Sequence, residues 1–343
     1  MSSQTVAART PAGSRAPDAM VTLSQAFQMA LSEEMSRDDS IFVLGTDLAD
    51  RGGHFGQVRG LSALFGPARV RDTPISEAAM VAAGVGAALH GMRPVVDLNF
   101  IDFAYGAMDE ILNQAAKIPA MYDIGLPLLI RGTAGIAGYA HQHNNNLEGV
   151  FGEIPGLIVA YPSTPRDTYG LLRSALAYDR PVIFLMHKKL TGEKGIIPSD
   201  QGSTPFGSAA TVRTGSDVTI VTYGYYVKQA TAAANRLVAA GIECEIIDLR
   251  TTSPIDYEMI TGSACRTGRV IVFSETHGYA GVGAEVVSRI QEAAFAYLDA
   301  PVLRVEPLPL PIPHSPPLID AIVPSVDALM TAVTSSIQQW PPT

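Results

Sequence analysis

Ser76-Glu-Ala-Ala-Met-Val-Ala-Ala-Gly-Val-Gly-Ala-Ala-Leu89, closely followed by Pro94-Val-Val-Asp-Leu98, decides the fold. The first run reads as a helix. A serine stands where a cap belongs, Glu77 puts a carboxylate in the first turn, and the alanines and glycines allow very close packing. The second run reads as a strand. Similar apolar runs lie at residues 41–44, 127–130, 157–161 and 181–185. Strands apolar along their length, rather than alternating, belong to parallel sheets covered on both faces. Helices are expected between them, at residues 105–122 and 165–178. An opening helix follows Thr22, where T-x-x-Q forms a capping box. Residues 191–207, rich in Gly, Pro, Ser and Asp, read as a linker. A second series follows, with strands at 218–221, 244–249 and 270–273 and helices at 227–240 and 283–296. The prolines of residues 307–317 argue against helix or central strand. The expected fold is α/β, two three-layer domains with mainly parallel sheets. Residues 1–20 would be a flexible tail, 21–200 the first domain and 201–343 the second.

Composition narrows the function. Charged residues are 17% of the 343, against about 25% in ordinary soluble proteins. Hydrophobic residues are 47%, which excludes a disordered chain. No run of about 20 apolar residues is present, so a partner subunit, not a membrane, is the expected cover for an uncharged surface. The net charge of −9, without a basic run, argues against nucleic acid. Two cysteines, Cys244 and Cys265, form no CxxC, which fits a reducing, cytoplasmic setting. The first twenty residues lack the apolar core of a secretory signal; their Arg and Ser leave a transit peptide as the alternative to a tail.

Four segments could carry chemistry. Glu77 sits where a strand-to-helix turn ends, the place at which open parallel sheets bind ligands. On position alone it reads first as a first-turn carboxylate that favours the helix dipole. Asn99-Phe-Ile-Asp-Phe103 puts two aromatics at a strand end, either to stack on a flat ligand or to fill the core. The loop Gly132-Thr-Ala-Gly-Ile-Ala-Gly138 leads into Ala140-His-Gln-His-Asn-Asn-Asn-Leu-Glu148. His141 and His143 there suit proton transfer; with no further ligand at a plausible spacing, no zinc site is expected. Glu275-Thr-His-Gly-Tyr-Ala-Gly-Val-Gly283 has the order G-x-x-G-x-G, a poor match to a dinucleotide fingerprint. Neither a P-loop nor a G-x-S-x-G elbow occurs.

The series as a whole is more specific. Gly52-Gly-His-Phe55, Phe65-Gly-Pro-Ala-Arg-Val70, Asp72-Thr-Pro-Ile-Ser-Glu77, Gly91-Met-Arg-Pro-Val-Val96, Asn113-Gln-Ala-Ala-Lys117, Gln142-His143 and His187-Lys-Lys-Leu190 run in one order. The chain thereby resembles the beta subunit of the thiamine-diphosphate-dependent decarboxylase component of 2-oxoacid dehydrogenase complexes, of pyruvate, branched-chain and acetoin type. The likeness covers residues 22–330. It implies a transketolase-like pyrimidine-binding domain followed by a transketolase C-terminal domain. It also implies an alpha subunit that carries the diphosphate-binding domain with its Mg2+, in an α2β2 heterotetramer. The chain has no G-D-G segment with which to hold a diphosphate and Mg2+ itself.

The resemblance implies roles residue by residue. Glu77 matches the glutamate that hydrogen-bonds the pyrimidine ring nitrogen, the contact that drives deprotonation of the thiazolium carbon. Phe103 matches the aromatic lying against the pyrimidine, and His143 the histidine facing the reacting carbon. The turn at residues 175–180 matches one whose carbonyls hold a monovalent cation in some relatives. The chain departs from the family at Gly45-Thr-Asp-Leu48, where G-E-D-V is usual, and at Gln142-His-Asn-Asn-Asn146, where Q-H-S-Q-S is usual. It departs again at Met186-His-Lys-Lys-Leu-Thr191. These changes fall in segments expected to line the channel, and the asparagines suggest a more polar acceptor site. The expected activity is decarboxylation of a 2-oxo acid with acyl transfer to a lipoyl carrier. The alternatives are a two-carbon transfer to another carrier or an aldehyde, and a non-catalytic scaffold.

Overall fold

The structure is a computed structural model that describes residues 20–340. The expected tail, apart from Met20, lies outside the described residues. Seven strands form the larger sheet, in the order Thr251–Ser253, Ile158–Ala160, Val182–His187, Leu129–Ala134, Arg93–Phe100, Ile41–Gly45 and Val70–Asp72. All neighbours are parallel except the first pair. Both faces are covered, as the uniformly apolar strands require. Val96 joins Met80, Val81 and Val85 of the helix Glu77–Leu89 in one core. Val95 faces the other way, into a core with Phe27, Leu31 and Phe184. Each such residue, fully buried, contributes about 1.5–3 kcal/mol. Close approach of helix and sheet depends on Gly84, where a Cβ would lie 2.6 Å from Val96 Cγ2.

The second sheet runs Leu303–Val305, Val270–Phe273, Val218–Thr222, Cys244–Asp248 and Ala210–Arg213, with only the last strand antiparallel. The fold class expected from the strand and helix pattern is the one observed. The two sheets are stitched together, because Thr251–Ser253 leaves the second series and joins the edge of the first sheet. The expected linker is not wholly irregular: Lys194–Ile196 pairs antiparallel with Met20–Thr22. Thr22 caps the helix Leu23–Arg37 with both bonds of a capping box.

Three local expectations are corrected. Residues 105–122 are not one helix. They divide among a 3₁₀ segment Ile101–Ala107, a π-helical turn Glu110–Ala115 and a short α-helix Ile118–Tyr122. Pro119 has no N–H for the Ala115 carbonyl and its ring crowds that carbonyl, so the helix widens before it; the Ala116 N–H reaches back to Ile111 O at 3.0 Å. Ser76 precedes its helix but makes no side-chain cap, its hydroxyl facing the Pro74 carbonyl at 3.4 Å. The proline-rich stretch does turn helical at Pro316–Ile322, with proline in the first turn, where a missing N–H costs nothing.

One buried ion pair fixes the strand that leads to the site. Asp97 accepts from Arg131 Nη1 at 3.0 Å, from Gln57 Nε2 at 2.7 Å and from the Asn99 N–H at 2.8 Å. Both members of the pair are buried. Removing one partner of such a pair costs about 3–5 kcal/mol. The anchor holds Asn99 at a left-handed φ of 60°, one residue before the strand ends at Phe100 and Ile101 to Phe103 turn away from the sheet.

Candidate functional site

Glu77 is the first residue of its helix, at the carboxyl end of the parallel strands. Its carboxylate is half-buried and has no hydrogen-bond or ion-pair partner among the described residues. Beside it Ile75 is 79% exposed, apolar surface that none of the described residues covers. The helix packs against the 3₁₀ segment Ile101–Ala107, which carries Phe103.

The two aromatics at the strand end differ. Phe100 is buried and stacks on His143, with ring centroids 4.7 Å apart and planes at 22°. Phe103 meets the same imidazole edge-on at 5.3 Å and keeps 37% of its surface open. The structure thus brings Phe103 and His143 together, with Phe100 as a third ring. His54, Phe55 and Tyr139 surround Phe100 at 5.1–5.8 Å. His143 Nδ1 is buried without a partner among the described residues. His141 points elsewhere, its Nδ1–H donating to the Ile312 carbonyl at 2.8 Å.

The three asparagines are braces more than a free polar lining. Asn144 accepts from the Ala137 and Gly138 N–H groups at 3.0 and 3.2 Å, holding the glycine loop. Asn145 donates to Asp102 through its backbone at 3.0 Å and its side chain at 2.7 Å. Asn146 Nδ2 reaches the Glu275 carbonyl at 3.5 Å. Together with Tyr105, His141, Glu275 and His277 they border a cavity of about 200 Å³ between the two sheets' loops.

Behind the loop lies a buried polar cluster that spacing gave no sign of. His187 is sandwiched between Tyr161 and Tyr225, at 6.4 and 5.1 Å. Its Nδ1 accepts from the Lys189 N–H at 3.1 Å, so Nε2 carries the proton donated to Glu275 at 2.6 Å. Burial lowers the imidazole's pKa against the pull of Glu275. Burial also pushes the Glu275 carboxyl up, but His187 and Lys189 outweigh it and hold it below its usual range. Lys188 donates to the Gly135 carbonyl at 2.7 Å and lies 5.6 Å over the Phe100 ring. Burial brings its ammonium down to about 8. The sequence did not mark Phe100 over Phe103, and it placed Lys188 in a segment expected to line the channel without giving it a role, since a loop's contacts depend on how two distant segments meet.

The 175–180 turn is already occupied by the chain's own cation. Arg93 Nη1 donates to the Leu176 and Tyr178 carbonyls, each at 3.1 Å, and its guanidinium pairs with Asp179.

The arrangement offers an unpartnered carboxylate, an open aromatic and an imidazole with a free nitrogen on neighbouring elements. A flat, weakly basic heteroaromatic ring fits that set, since the carboxylate can share a proton with a ring nitrogen while Phe103 covers a face.

Comparison with known proteins gives a consistent result. Residues 19–194 match the transketolase pyrimidine binding domain and residues 207–329 the transketolase C-terminal domain. The chain is 40% identical over 316 residues to the pyruvate dehydrogenase E1 component subunit beta of Rickettsia conorii, covering 91% of this chain and 97% of that one. It is 41% identical over 332 residues to the acetoin:2,6-dichlorophenolindophenol oxidoreductase subunit beta of Cupriavidus necator, covering 93% and 98%. It is 39% identical to the 2-oxoisovalerate dehydrogenase subunit beta of Bacillus subtilis, covering 85% and 90%. Among solved structures, a split-gene transketolase in an inactive beta4 tetramer superposes with a TM-score of 0.78 at 24% identity, covering 93% of this chain and 99% of that one.

Proposed function

Because this chain belongs to the E1 beta subunits of 2-oxoacid dehydrogenase complexes, built on transketolase pyrimidine-binding and C-terminal domains, we propose that it forms half of a thiamine-diphosphate site that an alpha subunit completes in an α2β2 heterotetramer. The observation that carries this reading is the Glu77 carboxylate at the helix start, unpartnered among the described residues, on a helix that packs against the segment carrying the open ring of Phe103. When bound, thiamine diphosphate supplies the carbanion chemistry that decarboxylation of a 2-oxo acid needs. Glu77 holds a proton at the pyrimidine ring nitrogen, and Phe103 covers the ring and excludes water. His143 presents an imidazole nitrogen towards the substrate. The diphosphate and its Mg2+ fall to the alpha subunit, since this sequence has no G-D-G segment. A monovalent cation at the 175–180 turn would have to share the Leu176 and Tyr178 carbonyls with Arg93. Exposed Ile75, Met121 and Tyr122 provide apolar surface for the partner.

The acyl group would pass to a lipoyl carrier. The polar cavity bordered by His141, Asn145 and His277 favours, as a second reading, transfer of a two-carbon unit to a hydroxylated aldehyde or another carrier. Replacement of Glu77 tests the main reading. Glu77→Gln should cut hydrogen–deuterium exchange at the thiazolium carbon, in the assembled complex, by about 10²–10⁴-fold, with assembly intact. Unchanged exchange would make Glu77 a helix-start carboxylate and nothing more.

A further inference from the structure

We propose that Asp102 is a positioning residue for His143: its buried carboxylate clamps Asn145 and thereby holds the imidazole against Phe100 and Phe103. The inference rests on the reading of His143 given above and adds a residue to it. Asp102 lies in the 3₁₀ segment between the two aromatics that touch His143. It is only 7% exposed. One of its oxygens, Oδ1, accepts both the Asn145 backbone N–H at 3.0 Å and the Asn145 side-chain amide at 2.7 Å. The stretch from Phe100, at the end of its strand, to Phe103 thus supplies both rings and also grips the loop two residues past the imidazole. The loop has other ties, from Asn144 to its glycine arm, from the Ala140 N–H to His314, from His141 to the Ile312 carbonyl and from Asn146 to the Glu275 carbonyl, but the Asp102 bonds are the ones that come from the segment carrying Phe103.

The energetics favour a positional role over a stabilising one. Asp102 Oδ2 is buried with no partner among the described residues. Leaving a polar atom unsatisfied costs about 1–3 kcal/mol, more when it is charged, so an apolar residue would serve the core better. Asp102 lies close enough to the buried Lys188 ammonium to favour its charged form. Hydrogen bonds to an ionised acceptor are shorter and stronger than neutral ones, which suits a clamp that must set a ring's position.

The test compares Asp102→Ala, the volume-conserving Asp102→Asn, and the exchange Asp102→Asn with Asn145→Asp. The exchange keeps one acceptor and one donor side chain facing each other. Two readouts are needed. In the free chain, the His143 ring resonances, assigned by their loss in His143→Ala, carry the ring-current shift of the Phe100 stack. Asp102→Ala should move them towards unstacked values, and the exchange should return them. In the complex with the alpha subunit, Asp102→Ala should lower kcat for group transfer by about 10–100-fold, the scale of a small misplacement. KM for the 2-oxo acid and exchange at the thiazolium carbon should stay near wild type, and the double exchange should recover kcat to within about threefold. His143 resonances that stay in place in both Asp102→Ala and Asp102→Asn would overturn the clamp. So would an exchange variant that folds but returns neither signal nor rate. Resonances that move while transfer is untouched support the clamp and overturn the catalytic role of His143 instead.

Discussion

At the scale of single residues, two neighbouring histidines have opposite surroundings. His143 faces an aromatic pair and keeps a free nitrogen; His141 spends its proton on the Ile312 carbonyl. His143→Ala should therefore leave exchange at the thiazolium carbon intact and slow decarboxylation or acyl transfer by about 10²-fold or more, as loss of an acid–base group does. His141→Ala should be the milder change, loosening the loop from the C-terminal segment. Pre-steady-state kinetics on both variants in the assembled complex decides it, and a crippled His141→Ala beside a normal His143→Ala would contradict this assignment. Both histidines and Glu77 were visible in the sequence, because loops and helix starts between buried strands are few. Phe100, Asp102 and Lys188 were not distinguishable from core residues there. Their significance depends on two loops meeting, and no spacing along the chain encodes that.

At the scale of elements, the long apolar strands and the capped helix after Thr22 were legible because each satisfies its own local chemistry. The short edge strands Val70–Asp72, Ala210–Arg213 and Thr251–Ser253 were not. Three or four residues carry too little pattern, and their pairing is decided by the strand beside them. The stretch between the strand Arg93–Phe100 and Tyr122 shows a subtler failure. Its helical spacing is real, but it divides into three helical forms, the middle one widened ahead of Pro119. The final helix Val326–Gln339, capped by the Ser325 hydroxyl, lay hidden after a proline-rich run. It buries Leu329 and Val333 in the core of the second sheet.

At the scale of the whole molecule, the two sheets act as one body through buried polar groups as well as apolar ones. Glu148, from the first series, accepts from Tyr223 at 3.0 Å and from Thr276, both of the second. Burial raises its carboxyl from 4.5 to about 7. A carboxyl raised in the folded chain holds its proton more tightly there than in the unfolded one. Its contribution is full below about pH 4.5 and is lost as the pH rises to about 7. Glu148→Gln should flatten the fall in unfolding free energy across that window by at most about 3 kcal/mol. Asp248, also raised by burial to about 7, leaves a residual slope of the same sign. Urea denaturation at a series of pH values measures it, and an unchanged slope would contradict a proton on Glu148. The low charge content and the exposed Ile75, Met121 and Tyr122 belong to the same scale, as features that the proposed alpha subunit would account for. The central claim is that this chain is half of a cofactor site. Titration calorimetry with thiamine diphosphate and Mg2+ tests it most directly, on the chain alone and on the chain mixed with an alpha subunit that carries G-D-G. The lone chain should show no measurable binding and the pair clear binding; tight binding by the lone chain would mean that it holds the cofactor without a partner.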